Sequence, residues 1–144
     1  MDTKIDTSDL ARVRSTWAKA AAGADVVGEI FYRRLFEIAP QVKPLFREDM
    51  REQERKLMQT LNWIVDHLDA PGTLQPRAEG LAQRHLRYGV EIGHYAAVGQ
   101  ALIETLEKGI GTEFTQEDAA AWGRVYGLLV DIMTRAAYPD APEA

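Results

Sequence analysis

Apolar residues in this chain recur at three-and-four spacing from one end to the other, and no segment sustains the period-two alternation of a half-buried strand. Leu10, Val13, Trp17 and Ala20 form one stripe, Val27, Ile30, Phe31, Leu35 and Ile38 a second, and Leu57, Leu61, Ile64, Val65 and Leu68 a third. Tyr95, Val98, Leu102, Leu106 and Ile110 make a fourth. Trp122, Val125, Tyr126, Leu129, Ile132 and Met133 make a fifth. An all-α architecture of six to eight helices around one core is expected, and 144 residues suit one domain, residues 1–144. Residues 1–8 and 139–144 are expected to fray.

Punctuation along the chain sets the helix limits. Thr7 or Ser8 is expected to cap the first helix, Gly23 to close it, and Asp25 to open the next. Gly28 lies inside that second helix, where glycine costs up to about 1 kcal/mol relative to alanine, so it reads as a close helix crossing. Pro40 stops the helix, and Pro40 to Phe46 reads as one or two tight helical turns. Arg47 to Arg55 is almost entirely charged and reads as a solvated loop and helix entry. Asp69-Ala70-Pro71-Gly72 is a turn signal, and a helix around Pro76 to Tyr88 is expected to stop at Gly89. Gly93 precedes a long helix ended by Gly109 and Gly111. Thr115, with Asp118 three residues on, is expected to cap the last one.

The formal net charge of −5 and the pI near 5.2 argue against nucleic acid or an acidic membrane surface as partner. No cysteine is present, so disulfides and thiol catalysis are excluded. No run approaches the roughly 18 apolar residues of a membrane helix, and the polar start shows no secretory signal. A cytoplasmic location is expected.

The stretch Leu81-Ala82-Gln83-Arg84-His85-Leu86-Arg87-Tyr88-Gly89-Val90 puts His85 on an inward helical face. Leu81 and Ala82 lie one turn before it and Tyr88 one turn after. An imidazole there is either a satisfied core group or the ligand of something bound. Three histidines and no cysteine leave no Cys/His zinc cluster, whereas a single neutral imidazole among aliphatic side chains suits the axial ligand of a haem iron. His67 reads as a solvent-facing group near a helix C-terminus, and His94 as a helix-entry residue. Tyr32 and Gln53 break apolar stripes. They either satisfy backbone carbonyls or form a pair of donors for a small bound molecule.

Phe31-Tyr32-Arg33-Arg34-Leu35-Phe36 with Pro40-Gln41-Val42-Lys43-Pro44-Leu45-Phe46, then Gln53-Glu54-Arg55-Lys56-Leu57-Met58, Arg84-His85 and Gly89-Val90, follow one another in a particular order. His94-Tyr95-Ala96-Ala97-Val98-Gly99 and Ala121-Trp122-Gly123-Arg124-Val125-Tyr126-Gly127 complete the series. In that order and spacing, from about Leu10 to Arg135, the chain resembles a bacterial single-domain haemoglobin of the flavohaemoglobin branch of the globin superfamily. The resemblance implies a globin fold enclosing haem b, with His85 as the iron ligand and its second ring nitrogen donating to a carbonyl one turn earlier. It implies Tyr32 as the main distal donor, Gln53 as its companion, Leu57 over the iron and Phe46 against the porphyrin. Leu81, Val90, Val98 and Leu102 would line the pocket, Lys56 and Arg84 would reach the propionates, and Tyr95 would stand beside the proximal histidine. Where the family carries a glutamate near the end of its last helix, this chain has Ala137, which puts strongly oxidative chemistry in doubt.

The implied function is reversible binding of oxygen, and of NO or CO, for transport or delivery rather than catalysis. The alternatives are nitric oxide dioxygenation with a separate flavin reductase, and a sensory or haem-free globin. Monomer and homodimer are equally open.

Overall fold

The computed structural model describes residues 5–46, 49–87, 89–91 and 93–137, and among them there is no strand. The elements are α1 (Thr7–Ala21), α2 (Ala24–Ile38), a 3-10 segment (Pro40–Leu45), α3 (Met50–Asp66), α4 (Pro71–Arg87) and α5 (His94–Ile110). A short 3-10 turn (Gly111–Glu113) then leads into α6 (Gln116–Ala137). None of these helices is long and apolar enough to cross a membrane.

Most boundaries fall where the sequence puts them, and three do not. The cap of α1 is Asp6, whose Oδ1 accepts from the Ser8 amide at 2.8 Å, so Thr7 and Ser8 lie inside the helix. A carboxylate one residue earlier satisfies the same orphan amides and adds charge at the positive helix end. Helix α3 begins at Met50 behind the Asp49 cap, so Arg51 to Arg55 are helical rather than loop. Helix α4 begins at Pro71, five residues before Pro76, because proline is pre-set for a first helical position and the turn closes earlier, with Leu74 N donating to Ala70 O at 2.9 Å. Thr115 and Asp118 form the expected reciprocal cap of α6, at 3.1 and 2.9 Å. Residues 139–144, Arg47 and Tyr88 lie outside the described residues.

Helix α2 crosses α5 and α3, α1 packs on α6, and α4 packs on α6. Helices α3 and α4, though consecutive, share few close backbone approaches among the described residues and meet through the Arg77 guanidinium, 4.6 Å over the Trp63 ring. Gly28 is the α2–α3 crossing point: a Cβ there would lie 3.0 Å from Glu54 Cβ. The buried side chains accordingly fall into two clusters. The larger holds Val13, Trp17, Phe31, Tyr32, Leu35, Leu102, Leu106 and Trp122 among others. The smaller joins α4, α5 and α6 through Ala78, Ala82, Tyr95, Ile132, Met133 and Ala137.

Candidate functional site

On one side of the α3–α4 separation stands Tyr32, buried on α2 and enclosed by aromatic rings. Phe31 and Phe46 meet it edge-on at 5.0 and 5.3 Å, and Phe36 lies 6.0 Å from it and 5.5 Å from Phe46. The close crossing at Gly28 brings the first turns of α3 against α2, and the Gln53 amide donates to the Tyr32 oxygen at 3.1 Å. Since the phenol oxygen is the acceptor in that bond, its own proton stays available to a third group. Burial pushes the phenol up to about 12, outweighing the stabilising Gln53 bond, with the Glu54 carboxylate adding to the rise. Tyr32 is therefore a neutral donor at any ordinary pH. Leu57, one turn beyond Gln53, is half-buried against the larger cluster, in which Leu102 is buried.

On the other side stands His85, half-buried on α4. Its Nδ1 is sealed from solvent and meets no hydrogen-bond partner among the described residues. Burial lowers the imidazole pKa and the neighbouring Arg84 cation lowers it further, so the ring is neutral. The bond expected from this nitrogen to a carbonyl one turn earlier does not form. The ring packs against Tyr95, with centroids 6.2 Å apart and planes at 47°. Val90 N donates to His85 O at 3.0 Å through a turn that needs Gly89 at φ +91°. That turn abuts Leu45, the residue before Phe46, at the distance of an ordinary contact for a Cβ on Gly89. The two sides thus approach each other at one edge.

Leu81, Val90 and Val98 are half-buried, as are Leu61 and Ile64 on α3. Lys56 and Arg84 are exposed, and Arg84 borders a small cavity of about 30 Å³ with Leu81 and Ile64 between α3 and α4. Ala137 is buried in the same cluster as Tyr95. Sequence reasoning missed two contributors. Phe36, one turn after Tyr32, belongs to the aromatic group around the phenol. Tyr126 donates its hydroxyl to the Tyr95 carbonyl at 2.6 Å, with its ring in space that a Cβ on Gly99 would occupy at 2.6 Å. The spacing of Phe36 from Tyr32 was a visible signal; nothing local marked Tyr126.

The other histidines are engaged elsewhere. His67 is not simply solvent-facing: it stacks on Trp63 at 4.1 Å, and its Nδ1 lies 2.7 Å from Trp63 O at the end of α3. His94 Nδ1 accepts from the Glu91 amide at 3.1 Å. Among the described residues no His/Asp/Glu group could hold a bare metal ion. One unpaired, neutral imidazole, half-buried apolar walls and a neutral donor pair do fit a metal carried by a flat apolar macrocycle. A separate cleft of about 270 Å³ between α2 and α5 is lined by Arg33, Arg34, Glu37, Glu104 and Lys108 and contains none of these groups.

A family model described as Globin matches residues 29–133. The chain is 33% identical over 115 residues to a flavohemoprotein of Rhodopirellula baltica, a match spanning 78% of this chain and 28% of that protein. It is 31% identical over 106 residues to a flavohemoprotein of Bordetella parapertussis, covering 72% and 26% respectively. The chain thus spans little more than a quarter of these relatives. Among solved structures, an engineered carbene transferase from Rhodothermus marinus, provisionally described as a nitric oxide dioxygenase, superposes with a TM-score of 0.84 at 23% identity, covering 94% and 95% of the two chains. A myoglobin of Aplysia limacina superposes with a TM-score of 0.82 at 18% identity, covering 92% and 99%. At these identities the structural likeness is one of fold.

Proposed function

The chain belongs to the globin family, and from that premise we propose that residues 1–144 act as one haem-binding domain that holds and releases oxygen, NO or CO. The flavohemoprotein relatives imply the haem. The observation that carries the reading is the His85 imidazole, neutral and half-buried, with Nδ1 sealed off and Nε2 left to ligate. When bound, the iron supplies reversible affinity for a diatomic ligand; everything else falls to the chain.

His85 would hold the iron. Phe46 would lie against the porphyrin face, and Leu57, Leu81, Val90, Val98 and Leu102 would exclude water, which slows oxidation. Lys56 and Arg84 would reach the propionates from the exposed rim. Tyr32 would donate its proton to the ligand, while Gln53 keeps the phenol oxygen occupied and its hydrogen aimed away from α3. Haem b is the form proposed, since no cysteine is present for thioether attachment.

A hydrogen bond to a charge-developing ligand adds roughly 1.5–3 kcal/mol, or about one to two decades in residence time if expressed in release. Oxygen release measured by stopped flow tests this assignment. Tyr32→Phe is expected to release oxygen roughly 10–100-fold faster; an unchanged rate removes Tyr32 from the role.

A second reading, nitric oxide dioxygenation, rests on the flavohemoprotein relatives. It requires electrons from a reductase, here a separate flavin protein. Single-turnover nitrate formation that becomes sustained when a reductase is added favours it, and nitrate formation that stays stoichiometric favours ligand binding alone.

A further inference from the structure

Helix α4 belongs to two parts of the core at once. Leu74, near its start, is buried in the larger cluster, whereas Ala78 and Ala82 are buried in the smaller one with Tyr95 and Met133. Pro76 falls between them, as the sixth residue of the helix. A proline at that depth brings no N–H to the carbonyl of Gly72 and crowds it, so the helix bends most cheaply there. Before Pro76 the chain is pinned, with Leu74 N donating to Ala70 O at 2.9 Å. Beyond it, residues 77–87 carry His85. What ties that segment to α3 stands immediately past the proline. The Arg77 guanidinium lies 4.6 Å over the Trp63 ring. The same ring is held against His67, with centroids 4.1 Å apart and planes at 16°, and His67 Nδ1 donates to Trp63 O at 2.7 Å. Trp63 is thus fixed from within α3 and its end, and the Arg77 contact is the movable part of the stack. Next to it the seam narrows to the cavity of about 30 Å³ between Thr60 and Ile64 of α3 and Ala78, Leu81 and Arg84 of α4. His85 lies about 12 Å further along the helix than Arg77.

We propose that Pro76 is a hinge and the Arg77–Trp63 stack a clasp, so that residues 77–87 swing from α3 as one flap and admit a flat macrocycle between Leu57 and His85. The inference rests on the haem-binding reading above and deepens it, because the clasp sets how often the seam opens. A bend at Pro76 grows along the arm beyond it, so a small parting at Arg77 becomes a larger one at His85. Leu74 and the larger cluster stay in place throughout. A cation over an indole at an exposed site favours the contact by a factor of roughly two to five. That bias is large enough to measure and small enough to be broken without unfolding the helices around Tyr32.

Amide hydrogen exchange of the whole haem-free chain, followed residue by residue by NMR for wild type, Arg77→Gln and Arg77→Lys, tests the clasp without reference to activity. Arg77→Gln is expected to quicken exchange of amides 78–87 together, roughly two- to five-fold, with those of α2 and α5 unchanged. Arg77→Lys, which keeps a cation for the ring, is expected to stay close to wild type. Equal acceleration in α2 and α5 would assign Arg77 to global stability, and no acceleration at all would leave the stack without effect; either result overturns the clasp. Loss of haem to an excess of a colourless haem acceptor is the second arm. After loading with haemin, Arg77→Gln is expected to lose it faster than wild type by the same factor, and an unchanged loss rate overturns the flap's part in admitting the macrocycle. A wild type that takes up no haemin overturns the haem-binding reading instead, while the exchange rates still decide the clasp.

Discussion

Tyr32 is the residue at which burial and chemistry meet most directly. Its phenol is enclosed by Phe31, Phe36 and Phe46, and its pKa stands at about 12 because ionisation would place a charge among those rings. The sign of the consequence is definite. Between pH 10 and 12 the unfolded chain loses this proton and the folded one keeps it, so the folded state binds more protons and stability falls as pH rises. In alkaline denaturation, Tyr32→Phe is therefore expected to flatten the loss of Tm above pH 10; an unchanged slope would mean that the phenol is not buried. That Tyr32 and Gln53 each break an apolar stripe was legible in sequence, whereas their pairing followed only from the family resemblance. The unpaired state of His85 Nδ1 was not, since it depends on how α4 packs with α5 and α6.

At the scale of elements, close crossings decide the site geometry. Gly28→Ala would gain about 1 kcal/mol of helix propensity in isolation. The added Cβ meets Glu54 Cβ at 3.0 Å, however, and two packed helices cannot yield cheaply. Gly28→Val is expected to lower Tm and, through the displaced Gln53, to speed ligand release, as Gln53→Leu is also expected to do; unaltered release would separate the crossing from the site. Helices α1 and α6 are joined differently, by Arg124 donating to both oxygens of Asp9 at 2.8 Å. That bond holds the Asp9 carboxyl below its ordinary pKa against the opposing effect of burial. The stabilisation is present above the unfolded pKa and disappears as pH falls through the lower folded value. Asp9→Asn is thus expected to reduce Tm by a few degrees at pH 7, on a scale of about 2–4 °C per kcal/mol, and to change it much less at pH 3. Equal losses at both pH values would assign the effect to packing. The helix stripes, Gly28 and the Thr115–Asp118 cap could all be read from local pattern. The start of α4 could not, because Pro71 and Pro76 are each acceptable first-turn residues, and the earlier turn, closed by Leu74 N on Ala70 O, buries Leu74 in the larger cluster.

For the whole molecule, the division of the core into two clusters is the organising fact. Helix α4 packs chiefly on α6, and of its buried residues Leu74 joins the larger cluster while Ala78 and Ala82 join the smaller one. Hydrogen exchange of haem-free protein is expected to show α4 amides opening at lower free energy than those of α2 and α5, and haemin is expected to protect α4 most. Uniform protection without haemin would contradict that hierarchy. Sequence order and spacing carried the fold family, but the separation between α3 and α4 arises from long-range packing that no single stripe encodes. The most direct measurement is the absorption spectrum of ferrous protein reconstituted with haemin, for wild type and His85→Gly, with and without free imidazole. Wild type is expected to give a five-coordinate, CO-responsive spectrum that His85→Gly loses and imidazole restores; a His85→Gly spectrum identical to wild type, or a wild type that takes up no haemin, would contradict the assignment of His85 as the ligand on which the site is built.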